Sequence, residues 1–268
     1  MKNIVILTGN ELRHKYFKIM LANDKNIKVL RSYCEYEKKI PIKAGTVSKI
    51  QTTHLLEREN AEKDFFSDIV LTLKDKSSST LILKGMINDK KCVQQIKKLN
   101  PDLIITYGCS IIKPNLIDIF PGKIINVHLG LSPYYFGSGT NFHPLVENKP
   151  QLVGYTFMYI DYGIDTGEII HQRRATIHFF DNPHQIGTRL IKDMTFDMIK
   201  LINNFEKIKK INKKIKTIGK TYKMRDVTDN HYQKLYENFE NDICSKYLTK
   251  KKMIDKKYPI LEQNILRQ

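Results

Sequence analysis

Short continuous apolar runs alternate along the chain with longer stretches in which apolar residues return every three or four positions. Residues 4–7, 27–30, 81–86, 102–107, 124–128 and 153–160 are of the first kind. Runs of that length, rich in Ile, Leu and Val, suit strands buried on both faces of a parallel sheet. Between them, Leu12, Tyr16, Phe17, Met20 and Leu21 recur at helical spacing. Val93, Ile96 and Leu99 do so behind a cap at Asn88 or Asp89, and Pro101 stops them. A short helical turn is expected over residues 116–120, broken by Pro121-Gly122, and a weaker helical pattern runs over 47–66. Residues 174–180 read as a further strand or edge segment. Asn182-Pro183 opens the clearest helix, with Gln185 in the capping-box position and Ile186, Leu190, Met194, Met198, Leu201 and Phe205 as its core stripe.

This order predicts an α/β fold: a Rossmann-like, mainly parallel sheet with helices on both faces. Ligands of such sheets bind beyond the carboxyl ends of the strands, here the loops after Leu7, Tyr107 and His128. The first of these contains Gly9 and Asn10, with Arg13 close by. A strand, glycine turn and helix can point backbone N–H groups at an anion, although a tight turn is the plainer reading and no G-x-G-x-x-G occurs.

After Glu206 the composition shifts, so residues 1–205 are expected to form the main domain and 206–268 a small, mostly helical extension. Lys207, Lys209, Lys210, Lys213, Lys214, Lys216, Lys220 and Lys223 crowd its start, with Ile208, Ile211, Ile215 and Ile218 at helical spacing among them. No aromatic residue is interleaved within this basic helix, which ends at Gly219, so base stacking is unsupported and a solvated face is favoured. A last helix, capped near Thr228, places Tyr232, Leu235, Tyr236, Phe239 and Ile243 on one face. That stripe must pack on the main domain or on a second subunit.

The formal net charge is +17 over 268 residues. Nucleic acid, nucleotides, a membrane surface or a polyglutamylated ligand would suit it, but a lysine-rich solvated surface explains it more simply. The cysteines, Cys34, Cys92, Cys109 and Cys244, are too far apart for a zinc knuckle and fit reduced thiols in a cytosol. The N-terminus lacks the apolar length of a signal peptide, and no run reaches the roughly 18 residues of a membrane span. A cytoplasmic protein without membrane attachment is expected.

The chemistry gathers between Ile124 and Gln172. Alternation puts Asn126 and His128 on one side of a strand and Ile125 and Val127 on the other. A loop with Gly130, Pro133, Gly137 and Gly139 follows, and residues 161–167 read Asp-Tyr-Gly-Ile-Asp-Thr-Gly. An amine attacking a carbonyl needs a donor for the developing oxyanion and groups that accept and return protons. Asn126 can donate, His128 can carry protons near neutral pH, and Asp165 can orient His128. Each alone has a plainer structural reading: a strand-end amide, a core histidine, an Asp turn. His143, His171, His178 and His184 are too scattered to form a metal set, and no metal is expected.

The ordered combination resembles the formyltransferase family that uses 10-formyltetrahydrofolate. That family carries a strand ending Asn-x-His, a Ser/Leu/Pro-rich loop ending in Gly, then Asp-x-Gly-x-Asp-x-Gly with a trailing Ile-Ile-x-Gln. Here these are Asn126-Val127-His128, Leu131-Ser132-Pro133 to Gly137, residues 161–167, and Ile169-Ile170-His171-Gln172, within a likeness over residues 1–205. The resemblance implies that Asn126 holds the formyl oxygen, His128 handles the amine proton and Asp165 supports His128. It implies a folate pterin against Cys109, Ser110, Ile111 and Ile112 and against Ile160, Asp161 and Gly163. The acceptor would meet Gly9, Asn10, Arg13, Tyr134 and Tyr135. Two departures concern acceptor recognition: Gly130 stands where many members have Ser, and Tyr134-Tyr135-Phe136 lacks the usual Arg before Gly137.

Three acceptor classes follow from the resemblance. Glycinamide ribonucleotide formyltransferases end soon after the helix that follows the Asp loop. Methionyl-tRNA formyltransferases carry a larger C-terminal barrel. Nucleotide-sugar N-formyltransferases, such as those similar to GDP-perosamine N-formyltransferase, add a small extension often used for dimerisation and can carry a Gly-Leu-Ser-Pro-Tyr-Tyr loop. The third is favoured: a homodimer formylating a nucleotide-linked amino sugar for surface polysaccharide (lipopolysaccharide O-antigen) biosynthesis, with nucleic acid not expected as a partner. A non-catalytic folate or nucleotide-binding module is the alternative of a different kind.

Overall fold

The computed structural model describes residues 1–37, 48–211, 215 and 219–266. Strand β1 (Lys2–Gly9) holds the apolar run 4–7, wholly shut from solvent. Helix α1 (Leu12–Asn23) follows, then β2 (Ile27–Tyr36). The second strand outruns its apolar stretch because it lies between two others, so the ladder carries it through Arg31, Ser32 and Glu35. Helix α2 (Lys49–Thr72) is longer than its weak pattern suggested, and Ser48 caps it by accepting from the Gln51 N–H at 3.2 Å. Val47, where that pattern began, lies outside the described residues.

Strand β3 (Ser79–Leu83) starts and ends earlier than expected because Gly85, at φ 90°, turns the chain. Then come α3 (Lys90–Leu99), β4 (Leu103–Tyr107), α4 (Pro114–Ile117) and β5 (Ile124–His128). The helical turn begins at Pro114, not at residue 116, since proline suits a first turn. Beyond lie β6 (Tyr135–Gly137), α5 (His143–Val146), β7 (Gly154–Tyr159), β8 (Ile169–Arg174) and α6 (Pro183–Asn203). Residues 175–180 are not strand: the last ladder-like bond is Ala175 N–H to the Val153 carbonyl at 2.9 Å, and the strand is the Ile-Ile-His-Gln stretch before it. Asn182 and Gln185 form the expected capping box, each side chain satisfying the other's backbone N–H.

The main sheet has the order β3-β2-β1-β4-β5-β7-β8. It is parallel from β3 to β5, and β7 and β8 run antiparallel. Ile4, Ile6, Leu103, Ile105, Ile125 and Val127 pack with α1, α2 and α6 on one face. Val5, Leu7, Ile104 and Ile124 pack with α3 and α4 on the other. The chain leaves β1 toward β2 and β3, then returns to the opposite side at β4. The crevice of such a sheet opens where the strand order reverses.

The tail does not begin with the expected basic helix. Residues 205–207 make a single 3-10 turn, and β9 (Lys220–Tyr222) is extended. Among the other residues of that pattern, Lys213, Lys214, Lys216 and Ile218 lie outside the described residues. Instead of forming one helical stripe, Ile208 packs on the main core and Ile215 beside Leu131, Tyr134 and Tyr135. Strand β9 pairs in parallel with β6. Helices α7 (Asp229–Glu240), α8 (Ile243–Thr249) and α9 (Lys251–Lys257) complete the chain. Ile243 opens α8 instead of continuing α7, because Asp242 sits at φ 56° between them. Leu235, Ile243, Cys244, Tyr247 and Leu266 share the core of α1, α2 and α6. Gln263 binds the Ile170 carbonyl and the His171 ring, and Leu261 exchanges bonds with Gln172.

Helix α7 docks through a cluster of rings. His54 of α2 lies 4.6 Å from the His184 ring and 4.9 Å from that of Tyr232. The Tyr236 hydroxyl donates to Glu57 at 2.9 Å and lies 3.1 Å from His54 Nδ1. Burial, then the nearby His184 and Arg58, pulls the His54 pKa down from 6.5 to about 4. Between those values the unfolded chain binds a proton that the folded chain refuses, so stability present above pH 6.5 is lost as pH falls through 4. Discounted for screening at the open cleft, His54 should cost about 2 kcal/mol of stability between pH 7 and pH 4. Denaturant titrations at the two pH values test this. In His54→Gln the difference should shrink by that amount.

Candidate active site

The strand ends open into one cleft of about 1380 Å³. Its floor is the carboxyl ends of β1, β4 and β5, and its walls include the 109–112 and 160–167 loops, residues 137–142 and residues 221–224 of the tail.

Asn126 and His128 emerge on the same side of β5, two residues apart, as alternation requires. The Thr106 hydroxyl on β4 donates to the Asn126 amide oxygen at 2.8 Å. That bond turns the amide N–H₂ toward the cleft, where it reaches Asp165 Oδ1 at 3.4 Å. His128 is buried, with Nδ1 3.3 Å from Asp165 Oδ2 and Nε2 3.2 Å from the Tyr135 carbonyl oxygen. Burial lowers its pKa below 6.5, against the pull of the Asp165 carboxylate and the Tyr135 carbonyl. The ring is therefore neutral at pH 7, and the acceptor at each nitrogen partly offsets the cost of charging it.

The 161–167 loop is built to deliver Asp165. The Asp161 carboxylate accepts from the Gly163 N–H at 3.0 Å and from the Thr166 hydroxyl at 2.8 Å, folding the loop on itself. A side chain at Gly167 would place its Cβ 1.7 Å from the Tyr159 carbonyl oxygen. Asp165 itself holds φ 55°, an uncommon value for a residue with a side chain. Its Oδ2 also accepts from the Gly137 N–H at 2.8 Å. Three groups from two strands, β5 and β6, thus meet on one carboxylate.

The loop of Cys109, Ser110, Ile111 and Ile112 lines the cleft, as do Ile160, Asp161 and Gly163. Glu35, at the end of β2, braces it by accepting from the Ser110 N–H at 2.6 Å and the Gly85 N–H at 2.7 Å. Gly9, Asn10 and Arg13 line the cleft too. A Cβ at Gly9 would fall 2.6 Å from His14 Nδ1, and one at Gly108 2.3 Å from His14 Nε2, so these glycines make room for a buried imidazole. Arg13 already pairs with Glu11 and, at 2.6 Å, with Glu62, which spends much of its charge inside the protein.

Tyr134 and Tyr135 do not line the cleft. Both are buried; the Tyr134 hydroxyl donates to the Pro259 carbonyl at 2.8 Å and that of Tyr135 to Glu147 at 2.9 Å. Aromatic residues in a glycine-rich loop suggested ligand contact, but here they fasten the loop to the tail. Sequence reasoning missed Thr106, Glu35, the backbone groups of Tyr135 and Gly137, and the tail residues Thr221, Tyr222, Lys223 and Met224. Backbone contacts carry no side-chain signal, and the tail reaches the cleft only through long-range packing. Among the described residues, no group of His, Cys, Asp and Glu has the arrangement of a metal site. No described helix is long and apolar enough to cross a membrane.

Comparison with known proteins agrees with this arrangement. A methionyl-tRNA formyltransferase of Ruminiclostridium cellulolyticum is 34% identical over 116 residues, covering 40% of this chain and 36% of that protein. The chain thus spans little more than a third of the length of this curated relative. Among solved structures, a 4-N formyltransferase from Francisella tularensis superposes with a TM-score of 0.55 at 20% identity, covering 87% of this chain and 86% of the other. A phosphoribosylglycinamide formyltransferase from Streptococcus pneumoniae gives 0.53 at 16% identity, over 77% of this chain and 99% of the other. At such identities the likeness is one of fold. The formyl transferase family model matches residues 21–200, more than half of the chain and the whole of the Asn126–His128–Asp165 constellation. The chain belongs to the formyl transferase family.

Proposed function

We propose that the protein transfers the formyl group of 10-formyltetrahydrofolate to the amine of a nucleotide-linked amino sugar. The observation that carries the formyl transfer is the meeting of the Asn126 amide, the His128 ring and the Asp165 carboxylate at the mouth of one cleft. In the proposed step the amine nitrogen attacks the formyl carbon, the bond from that carbon to N10 breaks, and a proton passes from the amine to N10. Asn126 Nδ2 donates to the formyl oxygen as negative charge develops there. His128 accepts the amine proton, and Asp165 stabilises the imidazolium that results. Two features support folate as the donor: exposed Ile111 and Ile164 offer apolar lips to a flat ring, and the cleft has room for two substrates together.

The nucleotide-sugar acceptor rests on narrower grounds. The fold shared with the Francisella 4-N formyltransferase extends over 87% of the chain, against 77% for the phosphoribosylglycinamide enzyme. Part of the tail lines the cleft, where an acceptor would meet it. A methionyl-tRNA acceptor is the second reading, favoured by the sequence relatives. A large acceptor bound through lysines would lose activity steeply with salt. The test is a thermal-shift screen of nucleotide-linked amino sugars and of charged initiator tRNA, each with a folate analogue, followed by mass spectrometry for the formylated product. No stabilisation by any nucleotide sugar, with product formed on tRNA, would replace the first reading by the second.

Steady-state kinetics should give a loss of about 10²- to 10³-fold in kcat for Asn126→Ala and about 10²- to 10⁴-fold for His128→Ala. Full activity in both variants would end the mechanism. Because burial holds the His128 pKa below 6.5, kcat/KM should rise with pH along an acid limb centred below that value. A kcat/KM that instead falls as pH rises through that region would mean that the histidine must be charged to act.

A further inference from the structure

Strand β6 supplies backbone groups to both members of the proton-handling pair. Its Tyr135 carbonyl oxygen faces His128 Nε2 at 3.2 Å, and its Gly137 N–H binds Asp165 Oδ2 at 2.8 Å. Yet β6 is no part of the main sheet. Its ladder partner is β9 from the tail, with Gly137 opposite Tyr222. The Tyr222 carbonyl accepts from the Ser138 N–H at 3.0 Å, and a Cβ at Gly137 would come 2.3 Å from that carbonyl oxygen. The two backbones are therefore in direct contact where the strand meets Asp165.

Tyr222 also grips through its side chain. Its ring stacks on Tyr135 at 5.4 Å and on His143 at 4.1 Å. Its hydroxyl donates to Glu147 Oε1, while the Tyr135 hydroxyl donates to Glu147 Oε2 at 2.9 Å and Lys149 lies 2.7 Å from the same oxygen. Burial alone would raise the Glu147 pKa, but the hydrogen bonds from Lys149, Tyr222 and Tyr135 outweigh it and keep the carboxylate charged. One anion thus ties the side chains of β6 and β9 together, although Tyr135 and Tyr222 are far apart in sequence.

We infer that Tyr222 is a positioning residue that acts through β6 on His128 and Asp165, so that the tail holds the reacting pair in register. The role in catalysis rests on the formyl-transfer reading above; the mechanical coupling does not. When the strap loosens, the Tyr135 carbonyl and the Gly137 amide withdraw, and both the ring and the carboxylate lose a fixed partner. Of the folate-facing loops, 109–112 is braced by Glu35 and Asn88, and 160–167, although Asp165 bonds Gly137, is also folded on itself by Asp161. The defect should therefore fall on turnover and leave folate binding intact.

The test compares the full-length chain with Tyr222→Phe and Tyr222→Ala, using histidine-labelled NMR titration and steady-state kinetics. The Tyr135 carbonyl favours the charged ring, so the His128 midpoint should move to lower pH in Tyr222→Ala. Tyr222→Phe, which keeps the stack and loses only the Glu147 bond, should move it less. In parallel kcat should fall about tenfold or more in Tyr222→Ala, with the KM for the folate donor unchanged. Unchanged His128 midpoints in folded variants would overturn the inference. So would a kcat loss that merely follows a fall in melting temperature, or one matched by a rise in the folate KM. If Tyr222→Ala does not fold, Tyr222→Phe and Glu147→Gln carry the same comparison. A shifted midpoint in a protein that forms no formylated product would leave the coupling standing and remove only the assigned reaction.

Discussion

Asp165 is the point at which separate parts of the chain are obliged to agree. Its carboxylate touches the Asn126 amide and the His128 ring, both from β5, and a backbone amide from β6. A buried polar group without partners would be costly, and these contacts satisfy the carboxylate where it sits. The loop that carries it accepts an unusual backbone angle to present it, and that local cost persists only because the surrounding contacts over-determine the position. Around this meeting point the sheet order, the glycines at 163 and 167 and the pairing of β6 with β9 have a common purpose.

The sheet itself was legible because apolar runs in buried parallel strands are unambiguous. Residues 4–7 and 103–107 could hardly have been anything else, and the Asn182 cap announced α6. What was not legible shares one physical cause, namely that the decisive contacts are distant in sequence. Strand β2 runs on through Arg31 and Glu35 because neighbours on both sides supply its ladder. Helix α2 shows little periodicity since only one narrow face is buried, at His54, Glu62 and Phe66. Ile208 and Ile215 look helical by spacing, yet they serve two different hydrophobic clusters. At the site, the side chains Asn126, His128 and Asp165 could be named from their order. Their supports could not, because Tyr135 and Gly137 act through backbone atoms, and Thr106 is an ordinary strand threonine until its neighbour is known.

The glycine at position 130 illustrates how a departure from an expected pattern can be packing and not loss. A Cβ there would lie 2.5 Å from His128 Nε2 and 2.6 Å from the Thr140 side chain. The Thr140 hydroxyl instead donates to the Leu129 carbonyl, so the volume that a serine would take beside His128 is already filled from across the loop. The two tyrosines downstream follow the same logic. Their rings look like ligand contacts in sequence, but their hydroxyls bind Pro259 and Glu147, and they hold the loop to the tail.

That fastening bears on how the acceptor could be chosen. The tail binds the rest of the chain through backbone twice, once through β9 against β6 and once through residues 261–263 against β8 at the edge of the main sheet. It lends the cleft Thr221, Tyr222, Lys223 and Met224, and the Met224 sulfur would lie 2.7 Å from a Cβ at Gly139. The wall nearest the reacting pair is therefore tail packed against loop, with no room for either to be rebuilt alone. A change of acceptor would have to alter both together, whereas the Asn126–His128–Asp165 geometry, set by the sheet, could remain as it is. On the proposed reading, the chemistry and the choice of substrate are carried by different parts of the fold, and they meet at Gly137.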